Sequence, residues 1–232
     1  MSADHTLERE LKLRPLDPTL LDRLAALDQL GPFSLQGRRR ELQRNSFFDS
    51  AAGALRAARL GFRRRIIEGQ VLATWTLKGG GRLVRGVSTR SEIEVHLDAA
   101  VPPAVAVEAL GQAARQLGAV ALAAELREAL DVGGLPLATP FVETRTERVI
   151  LDLEVAPQGW SVELALDRVR LVGHAYAELE IEAELKQGDE AALEAAREAI
   201  AALGPTHEST SSKLSRAMAH IATCEGYCQR TK

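Results

Sequence analysis

The chain has 232 residues, 46% of them hydrophobic, which is enough for one substantial core and for a single domain spanning 1–232. Lys and Arg number 29 against 32 Asp and Glu, a formal net charge of −3, so a strong local field has to come from arrangement, and the balance speaks against a nonspecific nucleic-acid binder. No apolar run is long enough to cross a bilayer, and the opening MSADHTLERE has neither a basic n-region nor an apolar h-region, so a soluble, cytoplasmic protein without a membrane partner is expected.

Residues 7–13 alternate as a strand. Glu8, Glu10 and Lys12 share one face and Arg9, Leu11 and Leu13 the other, because successive side chains of a strand point to opposite sides. Asp17 and Pro18 read as the N-cap and first residue of a helix over TLLDRLAALDQL. A second strand is expected over 37–49 (GRRRELQRNSFFD), followed by a short turn or helix in SAAGALRAA. Hairpin strands follow in LGFRRRIIEG and QVLATWTLKGG, punctuated by Gly69 and by the glycines at 79–81. GVSTRSEIEVHLD closes the first half as another strand. Residues 102–131 are alanine-rich with helical spacing and predict a helical pair outside the sheet. Strands return in TPFVETRTERVILDLEV, WSVELALDRVRL and HAYAELEIEAELKQG. GDEAALEAAREAIAALG has the capping acids and terminal glycine of a helix, and ESTSSKLSRAMAHIATC predicts a last one. The fold class is therefore α+β.

The parity of the charges carries the functional signal. Glu8, Glu10 and Lys12 share a face, as do Arg63 and Arg65, then Thr74, Thr76 and Lys78, then Arg90, Glu92 and Glu94, and finally the series from Glu178 to Lys186. On an antiparallel sheet wet on one side, such stripes would form the solvated face. The opposite faces are not consistently polar, however, so helices can pack there while the charges look inward, as in a barrel with a charged lumen. The two cysteines, Cys224 and Cys228, form an i, i+4, i+8 stripe with His220 on the last helix. With no fourth ligand in view, helix packing is the expected role of this stripe.

The ExExK of Glu8 to Lys12, SFFDS at 46–50, GFRRR at 61–65, TLK at 76–78, RSEIE at 90–94, ELEIEAELKQG at 178–188 and SSK at 211–213 follow one another as in CYTH proteins, also called triphosphate tunnel metalloenzymes. The chain resembles that family from about residue 6 to about residue 216. The family includes inorganic triphosphatases, thiamine triphosphatases and class IV adenylyl cyclases. The resemblance implies a closed antiparallel β-barrel of about eight strands, with helices packed outside and a lumen that binds a triphosphate and a divalent metal. Phe47 stands where the family has tyrosine and Ser50 where it has threonine; both positions are expected to pack the strand and cap the following turn. The family's basic pair matches Arg63 and Arg65, with Arg64 facing outward. In the second half, Arg145 and Arg148 are three apart and cannot both point inward from a regular strand, and Arg148 is preferred.

The site follows from the resemblance and from charge. A triphosphate needs convergent Lys and Arg side chains, for which Lys12, Arg63, Arg65, Lys78, Arg90, Arg148 and Lys213 are the candidates. A hard cation, Mg²⁺ or Mn²⁺, prefers carboxylate oxygens, which points to Glu8, Glu10, Glu94, Glu180 and Glu182. Lys12, Glu10 and Glu92 form the catalytic set; Glu92 and Glu94 either complete a second metal site or position the attacking water. Asp49 and Asp167 are expected to fix turns. Crowded glutamates are expected to raise one another's pKa, giving a metal affinity that rises with pH. The leading activity is metal-dependent hydrolysis of inorganic triphosphate, ATP or another organic triphosphate, by in-line attack of an oriented water. One alternative is a class IV-type adenylyl cyclase making cyclic AMP from ATP, for which five Phe, two Trp and two Tyr offer few stacking residues. The other is a non-catalytic polyphosphate or nucleotide-binding module. A homodimer is left open.

Overall fold

The structure, a computed structural model, describes residues 3–230. The chain runs β1 (Ala3–Pro15), α1 (Leu20–Ala25), β2 (Gln29–Leu30), β3 (Phe33–Phe47), α2 (Ala54–Ala57), β4 (Gly61–Ile67), β5 (Leu72–Val84), β6 (Val87–Asp98), α3 (Pro103–Gln116), α4 (Val120–Gly133), β7 (Val142–Val155), β8 (Trp160–Leu171), β9 (Ala177–Gln187), α5 (Glu190–Leu203), β10 (Thr206–Glu208) and α6 (Lys213–Arg230). The strands pair in the order β10-β1-β6-β5-β4-β3-β7-β8-β9, with β2 beside β3, and β9 pairs back to β1 through Leu11↔Ala183 and Lys12↔Glu182. Strands β1 and β3 to β9 thus form a closed eight-stranded antiparallel barrel, with the helices and the short strands outside. No helix among the described residues is long and apolar enough to cross a membrane.

Two compact units can be distinguished. The first comprises the chain up to Arg9, Glu41–Val84 and Ser88–Glu143. Ala73, Trp75 and Leu77 of β5, with Ile93 and Val95 of β6, alternate away from the polar side of their strands and meet Val107 and Leu110 of α3 and Leu122 and Leu126 of α4. Helix α3 forms because Pro103 supplies a fixed φ in the first turn and because Ala106, Val107, Leu110, Ala113 and Ala114 recur at helical spacing. Trp75 is fully buried, with its ring centroid 5.3 Å from that of Phe62 and 5.5 Å from that of Phe48. Gly79 lets α4 approach the sheet: a Cβ there would lie 2.6 Å from Leu122 Cδ1 and from Leu60 Cδ2.

The second unit comprises Glu10–Arg40, Arg85–Val87 and the chain from Thr144 onward. Leu11 and Leu13 of β1, Leu151 and Leu153 of β7, Leu164 and Leu166 of β8, and Ile181 and Ala183 of β9 pack against Leu20, Leu21 and Leu24 of α1 and Leu193, Ala196 and Ile200 of α5. The Asp189 carboxylate accepts from the Ala191 N–H and starts α5.

The structure corrects several boundaries. Strand β3 runs over Phe33–Phe47 where 37–49 was the expectation, and β5 continues through the glycines at 79–81 to Val84 and does not end at them. The helix expected over TLLDRLAALDQL ends at Ala25, because Gly31, in the left-handed region at φ +54°, turns the chain so that Gln29 and Leu30 pair with Ser34 and Phe33. Asp17 accepts from the N–H and hydroxyl of Thr19 in a turn that precedes the helix, so it does not cap the first helical residue. The short strand β10, which pairs Thr206–Glu208 with Pro15, Arg14 and Leu13, was not expected. Replacing Trp75 by Ala is expected to cost about 3–5 kcal/mol and by Phe less than about 1.5 kcal/mol. Urea unfolding midpoints check this; equal losses would mean that the ring does not carry the packing.

Candidate active site

Burial decides against a solvated charged face. Glu8, Glu10, Lys12, Thr74, Thr76, Glu92, Glu178 and Glu180 are each less than a tenth exposed. A carboxylate or ammonium taken out of water costs several kcal/mol unless it is paired, so these side chains have to converge.

In the first unit they converge around Lys78. Its Nζ lies 2.9 Å from both oxygens of Glu8 and 2.7 Å from Glu92 Oε2, while Arg90 Nε donates to Glu8 Oε2 at 2.9 Å. Glu94 accepts from Thr76 Oγ1 at 2.8 Å and lies 3.8 Å from Arg63 Nη2. The register explains the grouping: Arg63 is opposite Thr76 and Arg65 opposite Thr74. The Nε of Arg65 is buried without a hydrogen-bond partner. Arg64, on the other face, donates to the Ala99 carbonyl and lies over the rings of Phe48 and Trp75, as its outward parity predicts. Asp49 accepts from the N–H groups of Ser50, Leu55 and Arg56, and Ser50 Oγ from that of Ala54, so SFFDS ends in the expected capped turn.

In the second unit the acids and bases alternate in space. Lys12 Nζ lies 2.8 Å from Glu10 and 3.0 Å from Glu182, its partner across the β1–β9 pair. Arg148 grips Asp167 with two hydrogen bonds of 2.7 and 2.6 Å and reaches Glu182 at 2.7 Å. Lys213, at the start of α6, lies 2.6 Å from Asp167, 2.8 Å from Glu180 and 2.9 Å from Glu182. One turn on, Arg216 donates to Glu178 at 2.6 Å and to Glu180 at 2.7 Å. Arg145 is exposed and Arg148 points into the group, as preferred. Asp167 was expected in a turn; it lies within β8, fully buried, directly opposite Arg148 and Glu180. Arg216 was missed, although its i+3 spacing from Lys213 put both on one helix face.

The CYTH domain family model matches residues 6–218. This chain belongs to the CYTH domain family. Among solved structures, the CYTH chain is similar to a Hippeastrum protein proposed as an adenylyl cyclase and found to have a dominant triphosphatase activity. The two are 24% identical, over 92% of this chain and 96% of that one, with a TM-score of 0.62. It is also similar to a protein proposed as an adenylate cyclase from Bacillus halodurans, at 20% identity, over 91% of this chain and 97% of that one, with a TM-score of 0.56. Both likenesses bear on the fold. No curated protein sequence matches the chain.

The carboxylate chemistry of this CYTH chain suits a hard divalent cation, since the donors around Lys12 and Lys213 are all oxygens. Of the expected metal ligands, the structure groups Glu10, Glu180 and Glu182 through these two lysines, and places Glu8 with Lys78 and Glu94 with Arg63. Carboxylates do raise one another, as Glu92 raises Glu8, but the expectation of a net rise is corrected, because neighbouring cations outweigh them. Burial pushes Glu182 up, but Lys12, Lys213 and Arg148 outweigh it and hold the carboxyl well below its usual range. Burial likewise raises Glu94, against Arg65 and Arg63, which win. At Glu8, burial and Glu92 raise the pKa, and Lys78 and Arg90 lower it further than that.

Two outcomes follow. Because Glu8, Glu94 and Glu182 are held below the usual carboxylate range, the affinity for Mg²⁺ or Mn²⁺ is expected to stay flat from about pH 6 to 8, which calorimetric titration checks. A group held below its unfolded pKa contributes stability that is present above about pH 4.3 and is lost as pH falls through its lower folded value. Glu182→Gln is therefore expected to cost about 3 kcal/mol at pH 7 and to lose less further stability than the unsubstituted chain between about pH 4 and 2. Unfolding midpoints across that range test it, and parallel acid slopes would contradict it.

Proposed function

We propose that this CYTH chain hydrolyses a small triphosphate, inorganic triphosphate foremost, with Mg²⁺ or Mn²⁺, as one domain acting in the cytoplasm without a nucleic-acid or membrane partner. The observation that carries the proposal is the burial of lysine, arginine and glutamate together on strand faces. Buried ion pairs are weak sources of stability, and perturbed, desolvated charge concentrates at functional sites.

Each side chain then has a role set by its own surroundings. Arg63, Arg65 and Arg90 offer planar donors to phosphate oxygens. Lys12, Lys78 and Lys213 supply compact positive charge. Arg148, which donates two hydrogen bonds to the Asp167 carboxylate, keeps its orientation without reorganising. Glu10, Glu180 and Glu182 in the second unit, and Glu8 and Glu94 in the first, are the oxygen donors for divalent cations, which when bound would neutralise charge on the phosphoryl oxygens. Glu92 orients the attacking water and accepts its proton. Lys12 and Glu10, already 2.8 Å apart, exchange their mutual contact for the ligands. The internal ion pairs thus stand in for ligand contacts, so binding swaps partners and creates no new unpaired charge.

The cyclase reading needs an aromatic platform for a purine, and Phe33, Phe48, Phe62 and Trp75 are all committed to core packing. The test is product analysis with inorganic triphosphate, ATP and thiamine triphosphate, comparing the wild-type chain with Glu10→Gln and Lys12→Ala. Orthophosphate released fastest from inorganic triphosphate, and slowed at least about a hundredfold in both variants, is the expected result. Pyrophosphate and cyclic AMP from ATP would make the chain a cyclase. Tight triphosphate binding without turnover would make it a binding module.

A further inference from the structure

The sequence stripe His220, Cys224 and Cys228 lacks a further ligand from another element, and the side chain of Cys228 lies outside the described residues. The structure supplies the missing element. His174, in the turn between β8 and β9, comes up to α6, and a ring nitrogen of His174, one of His220 and the Sγ of Cys224 all lie within 4.8 Å of one another. Cys224 Sγ stands 3.6 Å from His220 Nε2. In a tetrahedral site with Zn–N of about 2.0–2.1 Å and Zn–S of about 2.3 Å, adjacent nitrogen and sulfur ligands are separated by about 3.6 Å. The pair on α6 therefore already has the spacing of two ligands on one ion.

The surroundings hold the pair in place. The His174 ring meets the His220 ring edge-on at 6.0 Å and 81°, and the Tyr176 ring packs 4.8 Å from His220 on a tilted face. His174 and Cys224 are exposed, so an ion reaches the group from solvent. The donor set is two imidazoles and a thiol, which selects zinc and its neighbours over the hard cations that suit carboxylates. None of these residues belongs to the set assigned to triphosphate or to Mg²⁺.

We propose that the chain binds a transition-metal ion of the zinc class through His174, His220 and Cys224, with water at the fourth position, and that the ion clips α6 to the β8–β9 turn. Along α6, at 1.5 Å per residue, His220 lies about 10 Å and Cys224 about 16 Å from Lys213. The same helix carries Lys213 and Arg216 onto Asp167, Glu178, Glu180 and Glu182. An ion at the clip thus fixes the helix that delivers those two cations.

The test uses the full chain, stripped of metal and then held in saturating Mg²⁺ so that carboxylate sites are filled. Zn²⁺ titrated against a chromogenic chelator is expected to bind at one ion per chain, at least about tenfold more weakly in His174→Ala and in Cys224→Ser. Co²⁺ in place of Zn²⁺ is expected to give a thiolate-to-metal charge-transfer band that Cys224→Ser abolishes. Both substituted side chains are exposed, and unchanged thermal midpoints in the absence of metal would confirm that the variants fold. Zn²⁺ affinity unchanged in both variants would overturn the site. A cobalt band that survives Cys224→Ser would move the thiolate to Cys228 and overturn it equally.

Discussion

Pairing of buried charge is the constraint on which the rest of the structure depends. A strand that presents Glu178, Glu180 and Glu182 on one face can be buried on that face only if cations meet it, and Arg148, Lys213 and Arg216 do so from β7 and α6. The two groups are balanced differently. In the first unit, Glu8, Glu92 and Glu94 meet Lys78, Arg90, Arg63 and Arg65, an excess of one base. In the second, Glu10, Asp167, Glu178, Glu180 and Glu182 meet Lys12, Arg148, Lys213 and Arg216, an excess of one acid. On the proposed function, the first balance favours an anion and the second a cation.

The same strands are buried on their other face as well, and this pins the register. On β5, Thr74, Thr76 and Lys78 alternate with Ala73, Trp75 and Leu77; on β9, Glu180 and Glu182 alternate with Ile181 and Ala183. A slip of one residue would carry glutamates into the apolar layer under the helices and leave Trp75 or Ile181 among ionised groups. Each face would then incur a desolvation penalty or lose its packing. A one-faced sheet has a single penalty against slippage, whereas these strands have two, so the charged stripes help define the fold even though they add little net stability.

Much of this was legible because both signals have a period of two. The parity of Glu8, Glu10 and Lys12, or of Arg90, Glu92 and Glu94, needs no partner to be seen, and neither does the apolar parity opposite it. What stayed hidden was whatever depended on another element. Asp167 shares its face with Ala165 and Val169, so no charged stripe marked it, and its partners Arg148 and Lys213 lie on β7 and α6. Strands β2 and β10 span two and three residues, too few for a periodic signal. The direction of the Glu182 shift is hidden for the same reason: its crowding is visible along one strand, but Lys12, Lys213 and Arg148, which outweigh its burial, come from elsewhere in the chain. His174 has no neighbour in sequence that identifies it as a ligand.

The cations differ in how firmly they are held. Lys12, Lys78, Arg90 and Arg148 are carried by strands whose backbone positions are set by the ladder on either side. Lys213 and Arg216 are carried by a helix, and their contacts to Asp167, Glu178, Glu180 and Glu182 are themselves part of what docks the start of that helix. On the proposed function, a divalent cation that takes carboxylate oxygens from Lys213 competes with helix docking and not with the sheet. The ladder fixes the strand-borne groups, while the start of α6 is held by ion pairs to the glutamates and Asp167. In the second unit the charges thus come from two kinds of element, Lys12 and Arg148 from strands and Lys213 and Arg216 from a helix.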